Sequence, residues 1–476
     1  MHFSKKLGLF FGPILFFVVL NLPFELVSEQ GDKVIAVAVW MIVWWVTEAV
    51  SISVSALLPL ILFPLLKVMD IGDVGANYGS PIVFLFFGGF VMALALEKVN
   101  LHRRIALNII RLTGTTPNKV VLGFMIATAA LSMWISNTAT TVVMLPIAMS
   151  VIGLLINDAD GFTKNDQNFA LSVMLGIAFS ANAGGIATVI GTPPNMVMVG
   201  LLENEYNIEI SFFRWMLIGI PFSVTMITIS YFVLTKWMYP NNQLKFAASK
   251  DVIKDELQKL GAMSGKEKMV LAIFGVTVAL WIFRALINDI FPTLKLNDTM
   301  ISIFAAISLF ALPYNLKRGD FLIEWGDTSK LAWGILILFG GGLALAEGMS
   351  VSGIVDLVAN AIAASDISVL VMASLLIFLM LFMTEIMSNV ALVAVLAPVV
   401  AGIAIGLEIP ILYLLIPVTI ASSCAFMLPM ATPPNAIVFA SGYIKVHEMA
   451  RAGVILNLIA VLLLIGLFQF VLPHLF

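Results

Sequence analysis

The sequence predicts an all-α integral membrane protein of about eleven transmembrane helices and two re-entrant hairpins, arranged as an inverted-topology repeat. Three observations carry that prediction. Of the 476 residues, 61% are hydrophobic and 11% charged, where a soluble domain carries roughly 25% charged residues. The polar steps Ser136-Asn137-Thr138 and Ser388-Asn389 interrupt two strongly apolar stretches, and each is followed by a proline, Pro146 and Pro398. The segments "GTPPN" (Gly191–Asn195) and "ATPPN" (Ala431–Asn435) then follow in the same order.

Several segments have the length to cross a hydrocarbon core, which takes about 20 apolar residues. Leu7–Leu22, Val34–Val50, Phe212–Leu234 and Val454–Leu472 are the clearest. The opening segment has a basic start but no A-x-A cleavage pattern, so it reads as a retained first helix. Lys and Arg concentrate at Lys5 and Lys6, in residues 98–119 and 236–268, and more weakly from Lys445 to Arg451. Residues 24–33, 69–80 and 201–210 are poor in them. The positive-inside rule then sets the N-terminus in the cytoplasm. Crossings at roughly 8–26, 34–50, 51–66 and 81–97 bring the chain back inside at Lys98.

Residues 119–156 decide the rest. A single crossing there would place the lysine-rich segment 236–268 outside, against the charge rule. Two full crossings and a turn need more than the 38 residues available. A hairpin that enters and leaves on the cytoplasmic side satisfies both constraints, with Ser136-Asn137-Thr138 at its tip. The same reading of residues 367–405 gives a second hairpin, entering from the opposite side. The C-terminus then lies outside, and the acidic loop 157–168 inside.

A shift of 252 residues superimposes Gly88-Gly89 on Gly340-Gly341, Ser132 on Thr384, Ser136 on Ser388, Asn137 on Asn389 and Pro146 on Pro398. The Thr-Pro-Pro-Asn segments superimpose at a shift of 240, and the polar insert 157–168 accounts for the difference. The chain therefore divides into a first half, 1–235, a cytoplasmic linker, 236–268, and a second half, 269–476. Within the linker, "KDVIKDELQKL" reads as an amphipathic helix lying on the membrane surface.

Backbone groups released by a helix break must find partners in protein or a water-filled cavity, and each Pro-Pro pair removes two amide donors. Ser132 and Ser136 are four residues apart, as are Thr384 and Ser388, which would set their hydroxyls on one helical face. Hydroxyl oxygens, an Asn oxygen and freed carbonyls make a hard-oxygen cage suited to Na+. Residues 331–444 contain no Lys or Arg, and residues 120–213 contain only Lys164. An anion bound between the tips would meet no fixed cationic side chain, so helix dipoles and co-bound cations must offset its charge. Glu48, Glu97, Glu347 and Glu385 lie in or near apolar segments and are candidate functional carboxylates. A proton-relay role and a satisfied structural role are both open for Glu385.

The doubled pattern of polar tips and Thr-Pro-Pro-Asn loops, spanning nearly the whole chain, resembles the divalent anion:sodium symporters. That family includes bacterial dicarboxylate carriers and animal citrate and sulfate relatives. The resemblance implies a homodimer in which a mobile transport part moves against a scaffold as an elevator. It implies one Na+ at Ser132, Ser136, Asn137 and Gly191, and another at Thr384, Ser388, Asn389 and Ala431. It also implies substrate carboxylates at Asn137, Thr138, Pro193, Ser388, Asn389, Val390, Thr432 and Pro433. Val390 stands where the family pattern has Thr, so the second tip offers one hydroxyl fewer. The function expected is sodium-coupled transport of C4-dicarboxylates such as succinate, fumarate and malate across the bacterial inner membrane. Citrate or sulfate symport, or exchange, are the alternatives.

Other classes lack support in the residues. The single cysteine, Cys424, excludes an internal disulfide and any cysteine metal cluster. No H-E-x-x-H, G-x-S-x-G or paired catalytic Asp motif points to an intramembrane enzyme. No basic-aromatic array points to nucleic acid.

Overall fold

The first half of the chain begins with α1 (Phe3–Asn21), α2 (Glu29–Thr47), α3 (Ile52–Ser55), α4 (Leu58–Leu65), α5 (Ile71–Tyr78) and α6 (Pro81–Lys98). It continues through α7 (Leu101–Thr113), α8 (Pro117–Ser132), α9 (Asn137–Ile156), α10 (Lys164–Gly185), α11 (Pro193–Tyr206) and α12 (Phe212–Phe232). The middle of the chain holds α13 (Ser249–Leu260), α14 (Gly265–Ile290), α15 (Asp298–Ala311) and a short antiparallel pair, β1 (Pro313–Asn315) with β2 (Asp320–Phe321). Then come α16 (Trp333–Val351), α17 (Ile354–Ala363), α18 (Val369–Met383), α19 (Asn389–Gly406), α20 (Ile411–Ser422), α21 (Pro433–Phe439), α22 (Val446–Gly466) and α23 (Leu472–Leu475). This computed structural model describes residues 3–21, 28–114, 116–156, 163–241, 249–315 and 319–475. Among them, six helices are long and apolar enough to cross a membrane. The protein is a multi-pass helical membrane protein.

The order of α6 to α12 recurs in α16 to α22. Both runs even end alike, α12 and α22 each widening into a π-helical turn, Val233–Met238 and Leu467–Val471. The two runs also exchange partners. Helix α6 packs on α15, and α16 packs on α4 and α5. Helix α11 packs on α19 and α20, whereas α21 packs on α9 and α10. The paired glycines make part of this possible. A Cβ on Gly88 would lie 2.6 Å from the carbonyl oxygen of Ser302, and one on Gly341 would lie 2.2 Å from that of Ala56. Small residues let helix backbones approach closely, which is how membrane helices gain packing energy without a hydrophobic driving force.

Helix α10 is the centre of the molecule. Every residue from Phe169 to Gly185 is buried, as expected for a helix that is apolar all round. It starts at a capping box, Thr163 with Asp166, so part of the acidic loop expected at 157–168 is a helix N-terminus. Residues 157–162 lie outside the described residues.

Two expectations need correction. The crossing placed at 51–66 is two short helices, because Pro59 has no amide to continue the ladder to Ser55. The linker helix α13 turns its apolar side into the protein rather than toward lipid. Ile253 is 5% exposed and the helix packs on α7. The polar contacts agree: Arg103 pairs with Glu256, and Arg104 donates to Glu267 at 2.6 Å and to the carbonyl of Gly261 at 2.9 Å. The linker is thus clamped to the helix that leads into α8. Residues 242–248 of the linker lie outside the described residues.

Partly exposed ion pairs contribute about 0.2–1 kcal/mol. Arg103→Glu should therefore raise amide hydrogen exchange in Ser249–Leu260 by roughly two- to fivefold, and adding Glu256→Arg should reverse it. Failure of the double reversal to restore protection would show that α13 is held by its apolar side alone.

Candidate functional site

Helix α8 ends at Ser132 and α9 starts at Asn137, with Met133–Ser136 as the joint. Helix α18 ends at Met383 and α19 starts at Asn389, with Thr384–Ser388 as the joint. The hydroxyl at each joint makes the same two contacts. Ser132 Oγ lies 2.5 Å from Asn137 Oδ1 and 2.8 Å from the carbonyl oxygen of Ala181 in α10. Thr384 Oγ1 lies 2.7 Å from Asn389 Oδ1 and 2.6 Å from the carbonyl oxygen of Ser422 in α20. A hydroxyl carries one proton, so each cluster holds three oxygens around a single hydrogen. The surplus of lone pairs is a local negative potential that a cation would relieve.

The expected pairing of hydroxyls four apart is not what forms. Helix ends intervene, so Ser136 is exposed and its Oγ accepts from the amide of Ala139 at 3.2 Å, capping α9. Ser388 sits at the N-cap of α19 without a side-chain cap bond. The partner of each buried hydroxyl is instead the Asn five residues on.

The Thr-Pro-Pro-Asn segments close the site from the other side. In both, proline occupies the first helical turn, where its missing amide costs nothing, so the pair starts α11 and α21 rather than kinking a longer helix. The irregular stretches before them have one geometry. The amide of Gly191 donates to Thr188 O at 3.4 Å and that of Ala431 to Leu428 O at 3.2 Å. Asn195 Nδ2 donates to Thr188 O at 2.9 Å, and Asn435 Nδ2 to Leu428 O at 3.0 Å. These two asparagines take up carbonyls that the break releases. Gly219 in α12 and Gly453 in α22 let the stretches lie against helix backbone. A Cβ on Gly219 would meet Ile186 O at 2.5 Å, and one on Gly453 would meet Phe426 O at 2.3 Å.

Glu385 belongs to this scaffolding. It is 3% exposed. Its Oε1 accepts from the amides of Phe426 and Met427 at 2.8 and 3.0 Å and from Asn457 Nδ2 at 2.7 Å. Its Oε2 accepts from the amide of Leu428 at 3.1 Å. Four donors satisfy one carboxylate, which is the structural role rather than the relay. The first half does the corresponding work without a charge: Met133 stands at the equivalent position, Thr188 Oγ1 donates to its carbonyl at 2.5 Å, and Trp215 Nε1 donates to Ile186 O at 2.8 Å.

The family model described as the sodium:sulfate symporter transmembrane region matches residues 4–474. The chain belongs to the sodium:sulfate symporter family. Within the family it is 38% identical over 477 residues to the sodium-dependent dicarboxylate transporter SdcS of Staphylococcus saprophyticus, covering 99% of this chain and 92% of that one. It is 37% identical to SdcS of Staphylococcus aureus strain USA300, with the same coverage. Two solved transporters share the fold at low identity. MtrF of Neisseria gonorrhoeae gives a TM-score of 0.56 at 14% identity, covering 98% of this chain and 94% of that one. YdaH of Alcanivorax borkumensis gives 0.57 at 13%, covering 99% and 98%.

The sequence-predicted residues of this symporter-family chain fall into two layers. Ser132, Gly191, Thr384 and Thr432 are buried, whereas Ser136, Thr138 and Pro433 are exposed. Asn137, Pro193, Ser388, Asn389, Val390 and Ala431 are half-buried between them. Sequence reasoning did not find Asn182, Asn457, Gly219 or Gly453. Gly219 and Gly453 recur at a third shift, of 234 residues, which a search at 252 or 240 passes over.

Removing the acceptor from Glu385 should show its structural work. Each buried donor left unpaired costs about 1–3 kcal/mol. Glu385→Leu should therefore lower the melting temperature in detergent far more than Glu385→Gln, which keeps one acceptor oxygen. Equal losses in the two variants would argue against the clamp.

Proposed function

We propose that this protein is a sodium-coupled symporter of C4-dicarboxylates in the cell membrane. The observation that carries the proposal is the pair of oxygen clusters, Ser132–Asn137–Ala181 and Thr384–Asn389–Ser422, each with one proton among three oxygens. Na+ is a hard cation that takes oxygen ligands, and the dicarboxylate transporters at 37–38% identity are named as sodium-dependent. In this reading the first ion is held by Ser132, Ser136, Asn137 and Gly191, and the second by Thr384, Ser388, Asn389 and Ala431. Substrate carboxylates meet the tips at Asn137, Thr138, Ser388, Asn389 and Val390, and the Thr-Pro-Pro-Asn segments at Pro193, Thr432 and Pro433.

The swapped packing supports an inverted repeat with halves 1–235 and 269–476, joined by the linker 236–268. The joints at Met133–Ser136 and Thr384–Ser388 are then the tips of hairpins 119–156 and 367–405, entering from opposite sides. The N-terminus is cytoplasmic and the C-terminus outside. A homodimer whose transport part moves as an elevator completes the reading. No catalytic chemistry is proposed.

Uptake of labelled succinate into proteoliposomes tests the coupling. Uptake should rise more than linearly with Na+ and collapse when K+ replaces it. Uptake unchanged in K+ would overturn the symport reading, and preferential competition by citrate or sulfate would reassign the substrate. Ser132→Ala and Thr384→Ala should each raise the half-saturating Na+ concentration by about ten- to a hundredfold, the worth of a hydrogen bond or ligand to a charged group at roughly 1.5–3 kcal/mol.

The tips can be told apart by their hydroxyls. Thr138→Val should weaken succinate competition about tenfold or more, whereas Val390→Thr should change it little, because the second carboxylate is held by Thr432 and the loop amides. Succinate affinity within twofold of the parent in Thr138→Val would remove the first tip from carboxylate binding.

A further inference from the structure

The residue after each cluster carbonyl is where the two halves differ. In the first half it is Asn182, next to Ala181 and 1% exposed. Its side chain leaves its own half and reaches the loop of the other. Nδ2 donates to Ala425 O at 3.1 Å and to Thr432 Oγ1 at 3.1 Å, with Asn435 Oδ1 at 3.4 Å. In the second half the residue after Ser422 is Ser423. It is 2% exposed, and its Oγ has no hydrogen-bond partner among the described residues. The side chain that corresponds to Asn435, Asn195, has a buried Oδ1 without a partner as well. The cross-link between halves is thus made once, where the repeat would allow two.

We propose that Asn182 is a positioning residue that couples the two cation clusters, a one-sided pin through which an ion bound in the first half orders the loop of the second. The inference rests on the sodium-symport reading. The carbonyl of Ala181 and the Cα of Asn182 lie in one planar peptide unit. An ion that draws the Ala181 carbonyl toward itself turns that plane and carries the root of the Asn182 side chain with it. The far end of that side chain holds Thr432, which is joined directly to Ala431 of the second site and caps α21 through the amide of Asn435. Occupancy of either cluster therefore favours the arrangement the other needs, and such coupling is reciprocal. Ser423 is too short to make the matching link, so little coupling passes by the second route.

Asn182→Ser, which gives both halves the same residue, tests the pin. Coupling between sites is typically about 5–150-fold in affinity. Sodium-activated succinate uptake in proteoliposomes should therefore show its half-saturating Na+ raised by about fivefold or more, with the Hill coefficient falling from about 2 toward about 1. Adding Ser423→Asn should restore both by moving the pin to the other half. The increment in melting temperature that Na+ gives the purified protein should shrink in Asn182→Ser and return in the double variant. A merely structural role would lower the melting temperature equally with and without Na+, and that result would overturn the inference. An unchanged Hill coefficient in Asn182→Ser would overturn it too. If Asn182→Ser fails to accumulate in the membrane, Ser423→Asn alone decides: a second pin should lower the half-saturating Na+ severalfold, and no change would refute the coupling. Uptake by the parent that ignores Na+ would instead sink the symport reading itself.

Discussion

Backbone polar groups released inside a membrane must be satisfied by protein, because hydrocarbon offers them nothing. That constraint shapes the centre of this molecule. Two helices break before Thr192 and Thr432, and the chain spends its best buried hydrogen-bonding side chains on the fragments. Asn195 and Asn435 take up carbonyls seven residues back. Glu385, itself held by Asn457, gathers the amides of one loop, and Trp215 donates to a carbonyl of the other. The two loops have the same path with different supports, one carrying a charge and one not. An approximate repeat can keep its backbone while its supporting side chains diverge, provided every freed group still has a partner.

The same accounting separates groups that hold the site from groups left for a ligand. Asn195, Asn435 and Glu385 are engaged by neighbours and buried. The exposed hydroxyls of Ser136 and Thr138, and the half-buried asparagines Asn137 and Asn389, keep unused capacity. An intramembrane carboxylate is a functional candidate by default, but Glu385 has four donors already, and a group so occupied is ill placed to bind or release anything else. Position within the hydrogen-bond network decides the role better than residue type does.

Much of this was legible in the sequence. Polar residues stand out against a chain that is 61% hydrophobic, so the tips Ser136-Asn137 and Ser388-Asn389 and the two Thr-Pro-Pro-Asn segments were visible with their order. The partners of those residues were not. Ser132 meets Ala181, 49 residues away, and Asn182 meets Ala425, 243 away; nothing in local spacing encodes such pairs. Helical periodicity paired Ser132 with Ser136 because it could not see that α8 ends between them. The apolar stripe of α13 announced a buried face without saying that α7, rather than lipid, covers it. Gly219 and Gly453 matter because of where a Cβ would fall, and among 34 glycines that is invisible before the fold is known.

Charge supplies the remaining step. Helices α8 to α11 and α16 to α21 carry two basic residues, Lys119 near the start of α8 and Lys164 at the start of α10, each at the far end of its helix from the site. An isolated anion in such surroundings is strongly disfavoured, and the ends of broken helices offset only part of its charge, each being worth about half an elementary charge at most. A dicarboxylate brings two negative charges. Mobile cations held in the Ser132 and Thr384 clusters would balance them, and would leave when the substrate leaves. A fixed lysine in the same place would bind the anion without any reference to the sodium gradient. On the symport reading, the absence of fixed positive charge at the site would make coupling to Na+ obligatory: without the ions the anion would be too costly to bury, and with them the complex would be close to neutral.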